Sequence, residues 1–171
     1  MVDEEKKIDI QKPQGHGCFA CGTDNPIGLN LQFYRIGDAV CSDITLGKYH
    51  EGWEDIAHGG IISTLLDEVM SWAVMVSKKT FLVTRKMDIK YIRNVAVGTP
   101  LIVTGRLVDD SAPPKIRARG EIRDHQGRLL VRGAAEFVAL PEKKFSSLPP
   151  GFKTQMASLF ESIEAPEPGD P

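Results

Sequence analysis

One stretch constrains this chain more than any other: His58-Gly59-Gly60, followed without a break by Ile61 through Val76. From Ile61 onward it holds no proline or glycine, and apolar residues fall on nearly every side of a 3.6-residue period. A helix that is apolar all round belongs in the middle of a domain. Its length approaches that of a membrane span, but Asp67 and Glu68 sit near its centre and Ser63 and Thr64 in its first third. Adjacent ionisable residues at that depth argue for a soluble core helix and against a bilayer. The Gly59-Gly60 pair leaves backbone N–H groups uncrowded at the positive end of the helix dipole, with a carboxylate roughly two turns further on. Bare N–H donors and an acid on one element are the parts of an oxyanion site beside a base or nucleophile.

Such a helix needs a layer to cover it, and 171 residues suffice for one domain with a full core. A net charge of −2 lacks the basic excess of nucleic-acid binders, so no nucleic-acid partner is expected. The run Met1-Val2-Asp3-Glu4-Glu5-Lys6-Lys7 is charged and no apolar segment follows it, which argues for a cytoplasmic chain. Three cysteines, an odd number, fit a reducing compartment better than a disulfide framework.

The rest of the sequence supplies strands. Residues 1–15 are polar and read as a flexible N-terminus, 16–140 as the folded domain, and 141–171 as an extension. Leu29, Leu31 and Phe33 alternate with polar neighbours, Gly37-Asp38 is a turn, and Val40 to Leu46 is the return strand. An irregular loop from Lys48 to Ala57, carrying Trp53, leads into the helix as either a site lid or a connector whose tryptophan covers the core. After the helix the period switches to two. Val83, Met87, Ile89 and Tyr91 alternate with Lys86, Asp88 and Lys90; Leu101 to Val108, Lys115 to Arg123 and Leu129 to Leu140 follow. Phe152, Met156, Leu159, Phe160 and Ile163 then recur at helical spacing, ahead of a proline-rich end that reads as disordered. The order predicts an α+β fold: an antiparallel sheet packed on one long helix, with a short C-terminal helix.

Cys18 and Cys21 stand at C-x-x-C spacing with His16 nearby. A closed zinc site needs four ligands, and no second C-x-x-C or H-x-x-x-H follows, so two packed thiols in a turn are expected and a metal is not. No cofactor is expected either.

Taken together, Cys18-x-x-Cys21-Gly22, Asn25-Pro26-x-Gly28-Leu29, His58-Gly59-Gly60 with Asp67 nine positions after the histidine, and Tyr91-Ile92-Arg93-Asn94 resemble the hot-dog-fold thioesterases of the phenylacetate-pathway and mammalian thioesterase-superfamily types. The resemblance implies a long central helix wrapped by a curved antiparallel sheet. It also implies homodimers or homotetramers joined through sheet edges, and hydrolysis of acyl-CoA thioesters at the dimer interface. Carried over to this chain, it makes Gly59 the donor to the thioester oxygen, with Gly60 and His58 beside it. Asp67 becomes the general base or nucleophile, and Thr84 the residue that positions water. Strict alternation turns Thr84 to the face away from Met87 and Ile89, so its role rests on the resemblance. Where some relatives carry an asparagine before the His-Gly-Gly, this chain reads Gly52-Trp53.

A CoA substrate brings several phosphate charges. Lys115, Arg117, Arg119 and Arg123 line one strand face, and Arg85, Lys86, Lys90 and Arg93 form a second basic group; with Trp53, the candidates for substrate binding are Arg85, Lys86, Arg93, Arg117 and Arg119. The competing readings are a slow-turnover acyl-CoA-binding protein and a hydratase or dehydratase. The latter is disfavoured because Asp55 precedes His58 at the wrong spacing. No membrane partner is expected.

Overall fold

The computed structural model describes residues 6–112, 114–141 and 150–164. Among these residues, nine strands and two α-helices follow one another: β1 (Ile8–Ile10), β2 (Phe33–Ile36), β3 (Ala39–Thr45), β4 (Glu51–Trp53), β5 (Ile56–Ala57), α1 (Gly59–Lys78), β6 (Leu82–Tyr91), β7 (Pro100–Ala112), β8 (Lys115–Asp124), β9 (Leu129–Ala139) and α2 (Pro150–Glu164). Seven strands form one antiparallel sheet in the order β1-β2-β3-β7-β8-β9-β6, while β4 and β5 make a small hairpin of their own.

The long helix forms where its sequence says it should. His58 caps it, accepting the Gly60 N–H on Nδ1, and Lys79 closes it in a left-handed conformation with its N–H on the Met75 carbonyl. Ile62, Leu65, Leu66, Val69, Met70, Ala73 and Val74 are buried against the sheet. The helix touches β3, β6, β7, β8 and β9, so the sheet wraps it as the α+β expectation requires. That burial accounts for a helix apolar enough to cross a membrane, with a mean hydropathy of 1.3 over its 18-residue window.

A row of glycines sets how closely helix and sheet approach. Gly105, Gly120 and Gly133 are direct cross-strand partners on β7, β8 and β9. A Cβ on Gly105 would stand 2.6 Å from the Val69 carbonyl oxygen, and one on Gly120 3.0 Å from Leu66 and Met70. The sheet thus presents a bare trough to the helix backbone, a feature no reading of the individual strands suggests.

The N-terminal expectations need correction. Ile8–Ile10, assigned above to the flexible segment 1–15, pair with β2 as an edge strand. The strand expected to start at Leu29 starts at Phe33, because Asn30 adopts a left-handed φ of 47° and breaks the extended run. In place of regular structure, residues 12–31 form a loop built around Lys12. Its ammonium donates to the carbonyls of Cys21 and Leu31 and to Asn30 Oδ1 at 2.8, 2.8 and 2.6 Å.

The amphipathic C-terminal segment is the helix α2. Met156 and Leu159 are buried, Phe152 and Phe160 lie against Phe81, and Gln155 exchanges two hydrogen bonds with the Gln14 backbone. It docks on its own chain, over the N-terminal loop. The expected disordered end lies outside the described residues.

Candidate active site

Gly59, Ser63 and Asp67 recur every four residues and so share one stripe of α1, with Gly60 and Thr64 beside it. This stripe faces β6, the free edge of the sheet. At its N-terminal end the Tyr91 hydroxyl donates to the Gly59 carbonyl at 2.9 Å and lies 2.9 Å from Ser63 Oγ, which also bonds that carbonyl. Two turns along, Thr84 Oγ1 donates to Asp67 Oδ1 at 2.7 Å.

Thr84 reaches Asp67 because β6 does not alternate strictly. Thr84 pairs with Phe137 and Lys86 with Glu136, leaving Arg85 unmatched in a β-bulge. The extra residue reverses the parity of the strand, so Thr84 shares the helix-facing side with Met87 and Ile89. The alternation argument against Thr84 is corrected by that single residue.

The two glycines do different work. Gly60 gives its N–H to His58 Nδ1 at 2.9 Å, so it is not a free donor, and a Cβ there would meet the imidazole at 3.0 Å. Gly59 N–H opens the helix at the positive end of the dipole, and the other end of its peptide group, the His58 carbonyl, accepts from Ile62 N–H at 3.1 Å. With Nδ1 accepting, His58 carries its proton on Nε2 and acts as a cap. Tyr91 and Ser63 belong to the same cluster; the sequence reading missed both roles, although Ser63 lies four residues after Gly59 and four before Asp67.

Glu68 points elsewhere. It accepts from Trp72 Nε1 at 3.0 Å and meets Cys18 and Cys21. Burial, followed by the charge of Cys18, pushes its carboxyl up to about 7. The adjacent acids are thus split between two sites on opposite flanks of the helix.

The substrate-binding candidates are dispersed. Trp53 is 79 % exposed at the tip of the β4–β5 hairpin and covers no core. Gly52 presses on His58, where a Cβ would lie 3.1 Å from its Cα. Arg85 pairs with Glu136 and Lys86 with Asp88, and Arg93 Nη1 donates to the Leu129 carbonyl. Arg117 and Arg119 lie on the outer sheet face, away from α1. There Lys90, Arg119 and Arg132 line one shallow groove, and Lys86 and Arg117 line its neighbour. The two basic groups read separately in sequence therefore converge on one face, interleaved with Asp88, Glu121 and Glu136; Arg132 was not singled out there.

Residues 54–109, which span β5, α1, β6 and most of β7, match the family model of the thioesterase superfamily. No curated protein sequence matches the chain. Among solved structures, a thioesterase superfamily protein is 26 % identical with a TM-score of 0.63 over 67 % of this chain, and the chain spans 56 % of its length. Zebra fish thioesterase superfamily member 2 is 20 % identical with a TM-score of 0.60, covering 69 % of this chain and 89 % of its own. A Streptococcus mutans protein solved bound to acetyl CoA is 16 % identical with a TM-score of 0.56, covering 82 % and 93 %. The chain thus has the hot-dog fold of these proteins, and its residues 54–109 match the thioesterase superfamily.

Proposed function

We propose that the protein hydrolyses acyl-CoA thioesters to a free acid and CoA. The observation that carries this reading is the α1–β6 stripe. It sets the Gly59 N–H at the helix's positive end and, two turns away, an Asp67 carboxylate held by Thr84. A thioester carbonyl is activated toward attack, so its hydrolysis chiefly needs an oxyanion donor and a base or nucleophile. The thioester oxygen accepts from Gly59 N–H. Asp67 either takes a proton from a water that attacks the carbonyl carbon, or attacks it directly to form an anhydride that water then opens. In both routes the C–S bond breaks and CoA leaves as the thiol. Thr84 donates to one Asp67 oxygen and leaves the other for the reaction. Tyr91 and Ser63 fix the Gly59 carbonyl and with it the plane of the first helical turn. The acetyl-CoA-bound relative of the same fold supports a CoA ester as ligand.

Eight residues of helix separate Gly59 from Asp67, about 12 Å along the axis. Direct attack needs a donor about 3 Å from the oxygen and an attacking group about 3 Å from the carbon. One chain does not bring the pair that close. A second copy, related by a two-fold axis across the β6 edge, sets Asp67 of the partner subunit against Gly59, which makes a homodimer the active unit. The outer-face cluster around Arg119 and Arg132 is the candidate seat of the CoA phosphates.

The test is a panel of acyl-CoAs with a thiol-detecting dye. Wild type should release free CoA, and Asp67→Asn, which keeps the shape and removes the proton acceptor, should lower kcat about 10²–10⁴-fold with the fold intact. Tight acyl-CoA binding without thiol release would make the protein a binder rather than a hydrolase.

A further inference from the structure

On the flank of α1 opposite Asp67, Cys18 Sγ, Cys21 Sγ and a Glu68 carboxylate oxygen lie within 4.8 Å of one another. The sequence shows only the two cysteines of this set; the helix delivers the third group. The loop that carries the cysteines is shaped around one sulfur. Backbone N–H groups of Ala20 and Cys21 point at Cys18 Sγ, and Gly22 N–H closes the turn onto the Cys18 carbonyl at 2.9 Å. Gly22 tolerates no side chain, since a Cβ would stand 2.5 Å from Cys18 N, Cys18 O and His16 O.

Two further observations point to a ligand. His16, two residues before Cys18 and outside that three-residue set, has its Nε2 shielded from solvent without a hydrogen-bond partner among the described residues. A buried ring nitrogen in that state calls for a partner. Lys12, only 6 % exposed, bonds three oxygens that are all neutral. A buried ammonium needs a counter-charge, and its charge acts on Cys21, Cys18 and Glu68.

We propose that Cys18, Cys21 and Glu68 bind a zinc ion, with His16 as the fourth ligand, in a site that ties the N-terminal loop to the middle of α1. Two thiolates, a carboxylate and an imidazole form a donor set suited to tetrahedral zinc. Two thiolates and one carboxylate leave the dication complex with a single negative charge, which Lys12 neutralises. The site is structural rather than catalytic, because its ligands face away from Gly59 and Asp67. The Phe152 ring of α2, in edge contact with His16 at 5.4 Å, covers one side of it.

The experiment uses the full chain, freed of loose metal and kept under reductant. Elemental analysis should find about one zinc per chain after growth with zinc. Cobalt added to the apo chain should give a thiolate-to-cobalt charge-transfer band with the visible absorption of a tetrahedral site. Replacing both cysteines by serine should abolish that band, and Glu68→Gln should keep it while weakening cobalt binding by no less than the roughly 10–100-fold that losing an outer-shell partner costs. The wild-type titration is decisive even if a variant fails to fold. Wild type with both thiols free, no bound zinc and no cobalt–thiolate band overturns the proposal. So does a Cys18–Cys21 disulfide that forms in the presence of excess zinc. The readout is metal content and colour rather than turnover, so it stands or falls apart from the thioesterase reading.

Discussion

Tyr91 ends β6 with its ring half exposed and its hydroxyl on the Gly59 carbonyl, so it holds the peptide that follows the proposed oxyanion donor. A neutral hydrogen bond of this kind contributes about 0.5–1.5 kcal/mol, so Tyr91→Phe should lower kcat up to about tenfold while leaving KM for the acyl-CoA nearly unchanged. Steady-state kinetics separate that outcome from a binding role, which would raise KM instead. Thr84→Val should behave likewise by releasing the Asp67 carboxylate from the Thr84 hydroxyl. His58 is set apart from both. As a cap, His58→Ala should cost about 0.5–2 kcal/mol in a urea titration, and His58→Asn, which retains an acceptor, should restore most of it. A His58→Asn enzyme that is stable and inactive would give the imidazole a chemical role beyond capping.

The elements meet through backbone. Gly105→Ala would drive a methyl into the Val69 carbonyl, a rigid neighbour, whereas Gly133→Ala would meet the flexible end of Leu66 at 3.2 Å. Overpacking costs about 1–3 kcal/mol, so Gly105→Ala belongs at or above the top of that range and Gly133→Ala near its bottom, as chemical denaturation midpoints will show. The β8–β9 turn depends on charge instead. Burial by itself raises the Asp124 carboxyl, but the Arg128 guanidinium and the N–H groups of Arg128 and Gln126 outweigh it and hold the group below its ordinary range. A lowered folded value means the contribution is complete above the unfolded value and lost as pH falls through the folded one. Stability should therefore drop on acidification below about pH 4, and Asp124→Asn should flatten that part of the curve.

At the scale of the molecule, β6 is a ten-residue strand whose outer edge pairs with no other strand among the described residues, flanked by the exposed side chains of Val83, Tyr91 and Ile92. Edges of that length are normally paired or protected. Light scattering at micromolar concentration should show a dimer, and Val83→Lys should shift it toward monomer and reduce thioester hydrolysis although no site residue has changed. A wild-type monomer with full activity would remove the two-chain site. On the outer face, reversing Arg119 and Arg132 should raise KM in a salt-sensitive way and leave kcat nearly intact, because that face is remote from Asp67 and its charges are exposed to screening. An unchanged KM would place the CoA phosphates elsewhere.

Much of this was legible in order and period alone. The buried helix, the antiparallel strands after it and the α2 helix follow from local pattern, because each is set by residues near in sequence; that His58 caps the helix was not read there. So does the placing of Gly59 and Asp67 on one stripe, through their eight-residue spacing. What lay beyond the sequence depended on pairing. The bulge at Arg85 that turns Thr84 onto Asp67 is visible only against β9, and the glycine trough only when three strands lie in register. The convergence of Lys90, Arg119 and Arg132 needs the strand order, and the meeting of Glu68 with Cys18 and Cys21 needs the loop folded back on the helix. A one-dimensional pattern records which way a side chain points on its own element; which groups it meets is decided when elements far apart in the chain are packed together.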